Sequence, residues 1–372
     1  MAISFLDLTR QTSELEAETS AALVRVYASG HYVLGPEVEA FEKEWAEFCA
    51  LKKSAAVASG TDALSLALIA SGAVRKGAGD EVIVPTLTAP YTALAVLNAG
   101  GIPTFADIDP VTYTLDPGAI ESALTPRTRA IVPVHLYGQM ADMPAICEVA
   151  DKLGLIVIED AAQAHGARQS GCSPGAFGMA AAFSFYPTKN LGGFGDGGAV
   201  VSDDPQLIEK VKILRQGGHA PALSGDLEGR NSRLDELQAA LLRVKLKYLA
   251  AWNQQRQNLA AIYNDILVSA GNLRRPIVRA PNAHVFHLYV VAHDDREGLQ
   301  TYLAARGIET MVHYPHLLHQ QRLFRRSHTP SLTVAEGLLN RIVSLPLYPQ
   351  LTESEVRTVA QAVVEFKTDA PR

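Results

Sequence analysis

Short runs of hydrophobic residues recur along the first part of the chain and alternate with segments whose hydrophobic positions have helical spacing. The runs lie at residues 55–58, 80–84, 103–108, 130–134, 155–159, 181–185 and 199–201. Most are apolar on both faces, and helical patterns such as residues 62–71 separate them. This alternation is typical of a mostly parallel sheet covered on both sides by helices, so the pattern predicts an α/β fold.

Beyond residue 201 the pattern becomes mainly helical. Hydrophobic side chains fall on one face of a stretch from residue 233 to about 267, which predicts two helices with a bend. Runs at 285–291 and 309–312 predict strands of a smaller α/β domain. We therefore divide the chain into a large domain, residues 1–250, which includes a helical N-terminal segment, and a small C-terminal domain, residues 251–372.

Composition narrows the functional classes. The chain has 372 residues, 48% of them hydrophobic and 19% charged, as in an ordinary α/β enzyme, and its net charge of −6 argues against general nucleic-acid binding. No apolar stretch is long enough for a membrane span and no signal peptide is visible, which predicts a cytoplasmic protein. The three cysteines, Cys49, Cys147 and Cys172, are far apart and predict no metal site.

Lys189 stands between an apolar run and the glycine-rich bend at residues 192–198. Lysine is usually exposed, but this context predicts a crowded turn, where an amine is well placed to form a Schiff base. Asp160 ends another apolar run. It is either a helix N-cap or the ion-pair partner of a pyridine nitrogen. An electron-poor ring between an amine and a carboxylate is the arrangement of pyridoxal phosphate chemistry.

The segment 59–62 opens a helix directly after a strand, so Gly60 and Thr61 offer an anion site suited to a phosphate. A plain capping turn would have the same sequence. The Ser184 side chain either supplies a second hydroxyl that binds the phosphate or points into the core. Gln163 reaches the phenolic oxygen of the ring or is an ordinary residue of a first helical turn.

Two further polar segments have open interpretations. Residues 230–233 supply more phosphate donors, from this chain or a partner subunit, or form a polar loop before a helix. Residues 313–316 and His319 bring histidines together, but no carboxylate or cysteine accompanies them. A substrate-binding or structural loop is therefore favoured over a metal site.

These pieces occur in order along nearly the whole chain and resemble one family closely, the DegT/DnrJ/EryC1/StrS sugar aminotransferases. The matching stretches are residues 32–42, 59–64, 80–85, 133–139, 159–167, 183–193, 231–240 and 313–315. The resemblance implies a fold-type-I pyridoxal phosphate enzyme, similar to aspartate aminotransferase, with a mostly parallel sheet of the seven-stranded type. It also implies a homodimer whose cofactor sites lie at the subunit interface.

The resemblance also implies a role for each site residue. Lys189 is the catalytic lysine that binds the cofactor, Asp160 the partner of the ring nitrogen, and Gln163 the neighbour of the phenolic oxygen. The remaining implied residues hold the phosphate (Gly60, Thr61, Ser184 and, from the neighbouring subunit, Asn231) or bind substrate (Tyr314, His319 and Tyr91).

One position departs from the family pattern. Relatives often place a bulky side chain over the ring, in the segment that follows the run at residues 80–84. Ala89 occupies the aligned position here. Either Tyr91 takes over this contact or the ring packs against another group.

The implied reaction transfers an amino group from an amino-acid donor, glutamate by resemblance, to a nucleoside-diphosphate keto sugar. Residues 194–198 resemble enzymes that act on 3-keto sugars more than those that act on 4-keto sugars. The alternatives are a sugar dehydratase and a non-catalytic regulatory protein of the same fold. The dehydratases of this family replace the lysine by histidine or recruit an iron–sulfur centre, so Lys189 favours amino transfer.

Overall fold

A seven-stranded sheet organises the chain, whose computed structural model describes residues 2–218, 228–280, 282–325 and 330–367. The twelve strands are β1 (Lys53–Val57), β2 (Glu81–Pro85), β3 (Ile102–Ala106), β4 (Thr128–Ile131), β5 (Ile156–Asp160), β6 (Arg168–Gln169), β7 (Ala180–Ser184), β8 (Gly198–Ser202), β9 (Leu273–Arg274), β10 (Asn282–Ala283), β11 (Tyr289–His293) and β12 (Ile342–Leu345). The large sheet has the order β1-β8-β7-β5-β4-β2-β3. Strand β8 is antiparallel to both neighbours and the other pairs are parallel. The predicted, mostly parallel α/β sheet is confirmed.

Helices cover the sheet on both faces. They are α1 (Leu8–Glu14), α2 (Glu16–Ser29), α3 (Pro36–Phe48), α4 (Gly60–Ala70), α5 (Pro90–Ala99), α6 (Met143–Leu153), α7 (Pro205–Leu214), α8 (Glu236–Leu246), α9 (Leu249–Leu267), α10 (Arg296–Ala304), α11 (Thr333–Leu339) and α12 (Glu353–Glu365). Successive strand residues enter opposite cores. Ile83 packs into one hydrophobic cluster, whereas Val82 and Val84 pack into the other. Burial on both faces explains why these strands appear in the sequence as continuous hydrophobic runs.

The C-terminal part has its own sheet, β12-β11-β9, and its own hydrophobic cluster. Helices α9 and α12 pack together beside it, and Tyr263 and Tyr289 are fully buried there. The N-terminus also joins this part, because Ile3 forms a bridge with Ile308. None of the described helices is both long and apolar enough to cross a bilayer.

Several predicted boundaries differ from the structure. The run 309–312 is not a strand: Met311 forms only a single bridge with Ser344 before the chain turns away. The strand expected from residue 285 begins at Tyr289, since the amide of Val285 donates to Gly138 O at 2.9 Å instead of joining the sheet. The long helical stretch is two helices, α8 and α9, as expected. Leu237, however, is 39% exposed and does not share the buried face of α8.

Candidate active site

The candidate site lies where neighbouring strands end. Strand β5 ends at Asp160 and its parallel neighbour β7 ends at Ser184, five residues before Lys189. Helix α4 begins at Gly60, directly after β1 and its short turn. Ligands in open α/β sheets bind beyond the carboxyl ends of strands, so the fold places these residues where a ligand is expected.

Lys189 is carried by a tight turn. Its amide donates to Tyr186 O at 2.9 Å, and a Cβ atom on Gly192 would lie 2.3 Å from Pro187 O, so the turn requires glycine there. Burial lowers the pKa of the Lys189 amine to about 8, although the nearby Asp160 carboxylate raises it in part. Among the described residues the Lys189 side chain has no hydrogen-bond partner. The result is an amine that is partly deprotonated near neutral pH and free to react.

Asp160 is a buried acid, 8% exposed. Its Oδ2 accepts a hydrogen bond from Thr92 Oγ1 at 2.7 Å and its Oδ1 accepts one from the Ala162 amide at 3.1 Å. Burial nevertheless raises the pKa of Asp160, so the carboxylate lacks a full cationic partner in the protein alone. Thr92 could not be predicted as a site residue, because a threonine in the first turn of α5 carries no signal until the fold brings it to β5.

Gln163 lies beside the loop that contains Tyr314. Its Oε1 accepts from the Tyr137 amide and its Nε2 donates to Tyr314 Oη, both at 2.7 Å. The Tyr137 hydroxyl donates in turn to His313 O. These bonds bring Gln163 and Tyr314 together, although 151 residues separate them.

The start of α4 forms an anion cradle. Ser59 Oγ accepts from the Asp62 amide at 3.1 Å, whereas the amides of Gly60 and Thr61 have no acceptor in the described part of the chain. A Cβ atom on Gly60 would lie 2.5 Å from Ser184 Cβ, so Gly60 lets the helix start approach Ser184. Free amides at a helix N-terminus favour an anion at this point.

The residues before α8 differ in their hydrogen bonds. Arg230 binds within its own chain, donating to Asp62 Oδ1 at 3.2 Å and to Asn98 O at 2.7 Å, so it is not a free phosphate donor. Ser232 Oγ donates to Asp62 Oδ2 at 2.7 Å, which turns the Asp62 carboxylate toward this segment. Asn231 is exposed, and its side chain makes no hydrogen bond to the residues that the structure describes.

The other residues predicted to bind substrate are His319 and Tyr91. Both ring nitrogens of His319 form hydrogen bonds. Nδ1 bonds with Thr86 Oγ1 at 2.7 Å, and Nε2 bonds with Glu336 Oε1 at 3.2 Å. Tyr91 is 63% exposed on α5. Burial raises the pKa of the Tyr314 phenol, and the charges of Asp160 and then Tyr91 raise it further. Ala89 precedes α5 as its N-cap residue.

A buried histidine–glutamate pair stabilises the strand ends. His135 and Glu159 are both fully buried, and His135 Nε2 lies 2.7 Å from Glu159 Oε2. The Ala141 amide donates to His135 Nδ1 at 3.2 Å, so Nε2 carries the proton and donates to the glutamate. Both residues lie in stretches that carry the family resemblance, but the sequence analysis assigned them no role.

Comparison with known proteins finds relatives over nearly the whole chain. The model of the DegT/DnrJ/EryC1/StrS aminotransferase family matches residues 13–364. The chain is 46% identical to the dTDP-3-amino-3,4,6-trideoxy-α-D-glucose transaminase of Streptomyces venezuelae, over 98% of this chain and 96% of that protein. It is 42% identical to the UDP-N-acetyl-3-dehydro-α-D-glucosamine 3-aminotransferase of Acidithiobacillus ferrooxidans, over 97% of each chain.

Solved structures are similar over the same span. The crystal structure of S. venezuelae DesV in complex with a ketimine intermediate superposes with a TM-score of 0.94 at 46% identity, covering 99% of this chain and 100% of that one. The structure of NtdA from Bacillus subtilis with bound cofactor PMP has a TM-score of 0.89 at 33% identity, covering 98% and 86%.

Proposed function

Because this chain belongs to the DegT/DnrJ/EryC1/StrS aminotransferase family, we propose that it uses pyridoxal phosphate to transfer an amino group to a nucleoside-diphosphate keto sugar. Glutamate is the proposed donor, and a 3-keto sugar is favoured over a 4-keto sugar. The observation that carries the proposal is the Lys189 amine, held on a rigid turn near Asp160 with a pKa lowered to about 8. Relatives that act on 3-amino and 3-dehydro sugars support the preferred position.

The residues fit pyridoxal phosphate at three points. The unpaired Lys189 amine suits an aldehyde, and the unpaired amides of Gly60 and Thr61 suit a phosphate. The buried Asp160 carboxylate suits a protonated ring nitrogen, since such a cation offsets the burial that raises the pKa of Asp160. Bound pyridoxal phosphate supplies an aldehyde that exchanges between amines and a ring that withdraws electrons.

Each residue then has a defined task. Lys189 Nζ would hold the cofactor through its aldehyde and, when free, would carry a proton to or from the amino-bearing carbon. Asp160 would favour the protonated ring nitrogen, and Gln163 would hold the phenolic oxygen. Ser184 joins the two helix amides at the phosphate. Fixing both ends of the ring keeps the reacting carbon within reach of Lys189.

On the substrate side, Tyr314, His319 and Tyr91 bind the nucleotide sugar. Tyr314 is held by Gln163, which links the sugar site to the ring. His319 is held by Thr86 and Glu336, so its position is fixed before substrate arrives. Tyr91 is the exposed residue of the three, and either it or another group covers the ring in place of the bulky side chain that Ala89 replaces.

The active enzyme is a homodimer with shared sites. Apolar side chains are exposed around the start of α8: Leu237 on the helix, and Tyr32 and Val33 on the loop that pairs with it at Asp235 and Glu236. An exposed apolar patch of this kind supports an interface. Asn231 lies in the same region and reaches the phosphate in the partner's site. The division of each subunit at residue 250 is part of the same proposal.

The function is tested with purified protein, pyridoxal phosphate and glutamate. Before glutamate is added, and after unbound pyridoxal phosphate is removed, we expect a visible absorption band that borohydride removes, with the reduced cofactor attached to Lys189 by mass spectrometry. A panel of thymidine- and uridine-diphosphate sugars with 3-keto or 4-keto groups then gives an amino sugar from a 3-keto member, detected by mass, with stoichiometric loss of glutamate.

The matched controls are Lys189→Ala and Lys152→Ala, the latter removing an exposed lysine paired with Glu148. The first variant loses the band and the second keeps it. A band unchanged in Lys189→Ala contradicts the assignment. Conversion of a keto sugar with release of ammonia or water and no net loss of glutamate identifies a dehydratase instead.

A further inference from the structure

His287 lies on the irregular segment before β11, and nothing above gives it a function. The segment is held in place by Arg256, whose Nη1 donates to the carbonyls of His287 at 3.5 Å, Phe286 at 3.2 Å and Leu347 at 2.8 Å. The imidazole is 7% exposed. A buried imidazole on a fixed backbone has a defined orientation, so the protonation of its two nitrogens can be worked out from their neighbours.

A chain of side-chain amides determines which ring nitrogen of His287 carries the proton. His165 O is a carbonyl and accepts from Asn253 Nδ2 at 2.7 Å, so Asn253 turns its Oδ1 toward Asn190. Asn190 Nδ2 donates to this oxygen at 2.8 Å and to Val285 O at 3.0 Å. The remaining Asn190 Oδ1 lies 3.1 Å from His287 Nδ1. Because an amide oxygen only accepts, Nδ1 of His287 must carry the proton.

The other nitrogen, Nε2, is therefore an unprotonated acceptor. Burial lowers the pKa of His287 well below its usual value, and the charges of Lys189 and Arg256 lower it further, so the ring stays neutral. Nε2 has no hydrogen-bond partner among the described residues. It is absent from the unpaired polar atoms that are shielded from solvent, so it reaches accessible space. Asn190, which bonds to the same ring, directly follows Lys189 in the chain.

We propose that His287 is a further active-site residue, whose neutral Nε2 accepts a hydrogen bond from an amine or ammonium group in the cleft of Lys189. A neutral lone pair suits an N–H donor and repels the oxygens of a phosphate or carboxylate, so His287 distinguishes the amino end of a donor from its acidic end. The assignment of an amino donor rests on the proposed function. The protonation state of His287 does not.

The first test measures the tautomer in the protein without cofactor. In protein labelled with ¹⁵N-histidine, long-range ¹H–¹⁵N correlation should show His287 with its proton on Nδ1. His284 is the matched control, because it is buried on the same segment and its Nδ1 accepts from the Phe286 amide at 2.8 Å. Its proton should therefore lie on Nε2. An Nε2-protonated or cationic His287 overturns the proposal.

The second test separates the acceptor role of His287 Nε2 from the structural hydrogen bond that Nδ1 makes to Asn190. In His287→Asn the side-chain amide replaces Nδ1 as donor to Asn190, but no acceptor remains at Nε2. We expect kcat/KM for glutamate, and the rate at which the cofactor-free protein captures pyridoxal phosphate, to fall about ten-fold, the effect of one hydrogen bond to a charged group. His287→Gln, which returns an oxygen near Nε2, should recover part of this loss, and His284→Asn should retain wild-type rates.

Wild-type capture and turnover rates in His287→Asn overturn the proposal. If that variant does not fold, a proton found on Nε2 of His287 in the wild-type protein still overturns the proposal. If no sugar is aminated, the proposed function fails, but the tautomer and the capture rate remain measurable and test His287 independently.

Discussion

At the scale of single residues, Lys189 and Asp160 depend on each other through charge. Burial lowers the pKa of the amine to about 8, and the carboxylate limits that decrease. The amine is protonated and unreactive below this pH and becomes a nucleophile above it. Without the negative charge of Asp160, the pKa of Lys189 should fall further.

The pH dependence of Lys189 labelling tests this coupling. In the cofactor-free protein, acylation of Lys189 should rise with a midpoint near pH 8, and in Asp160→Asn the midpoint should move to lower pH. Lys152 is the internal control, because its ion pair with Glu148 raises its pKa. Peptide mass spectrometry after brief labelling across a pH series gives both midpoints. Equal midpoints for the two lysines would contradict a buried, deprotonated Lys189.

Thr92 is the residue that supports Asp160 from the neighbouring helix. In Thr92→Val the 2.7 Å bond to Asp160 Oδ2 is lost, and the pKa of the buried acid should rise further. Affinity for pyridoxal phosphate should fall about five- to ten-fold, the effect of about 1–1.5 kcal/mol, measured by spectroscopic titration. Thr88→Val is the control, because in the described part of the chain the Thr88 hydroxyl bonds to Thr92, at 3.2 Å, and not to Asp160. An unchanged affinity in Thr92→Val would remove Thr92 from the site.

At the scale of elements, the turn between β7 and β8 positions the reactive amine. A Cβ atom on Gly192 would lie 2.3 Å from Pro187 O, a backbone atom that can move only with the whole turn. Gly192→Ala should therefore slow the capture of pyridoxal phosphate by at least about ten-fold, as misplaced reacting groups do. Gly271→Ala, where a Cβ meets nothing within 4 Å, is the control. Equal capture rates in the two variants would show that the turn adapts.

The elements also show what a sequence alone can predict. The central strands are buried on both faces, so their hydrophobic runs identify them without tertiary information. The run 309–312 is half polar and forms no strand: the Glu309 amide donates to Ile3 O, and Met311 bridges to Ser344, because pairing depends on the neighbouring chain and not on the run itself. For the same reason Lys189 and Asp160 could be found from local context, whereas Thr92 and His287 could not. Their partners lie 68 and 97 residues away.

At the scale of the whole molecule, the proposed site is shared between two subunits. Lys189, Asp160 and Gly60 belong to the same chain, whereas the exposed side chain of Asn231 makes no hydrogen bond to the described residues. If Asn231 completes the partner's phosphate site, each site requires residues from both chains. A defect in one chain can then be complemented by a different defect in the other.

Mixed dimers test this arrangement. Lys189→Ala and Asn231→Asp should each be nearly inactive, the second because a carboxylate repels the phosphate. When the two variants are unfolded and refolded together, half of the dimers are mixed, and each mixed dimer has one site with both native residues. Activity should therefore return to about one quarter of the wild-type value. Sites confined to a single chain would show no recovery, because every chain would then carry a defect in its own site.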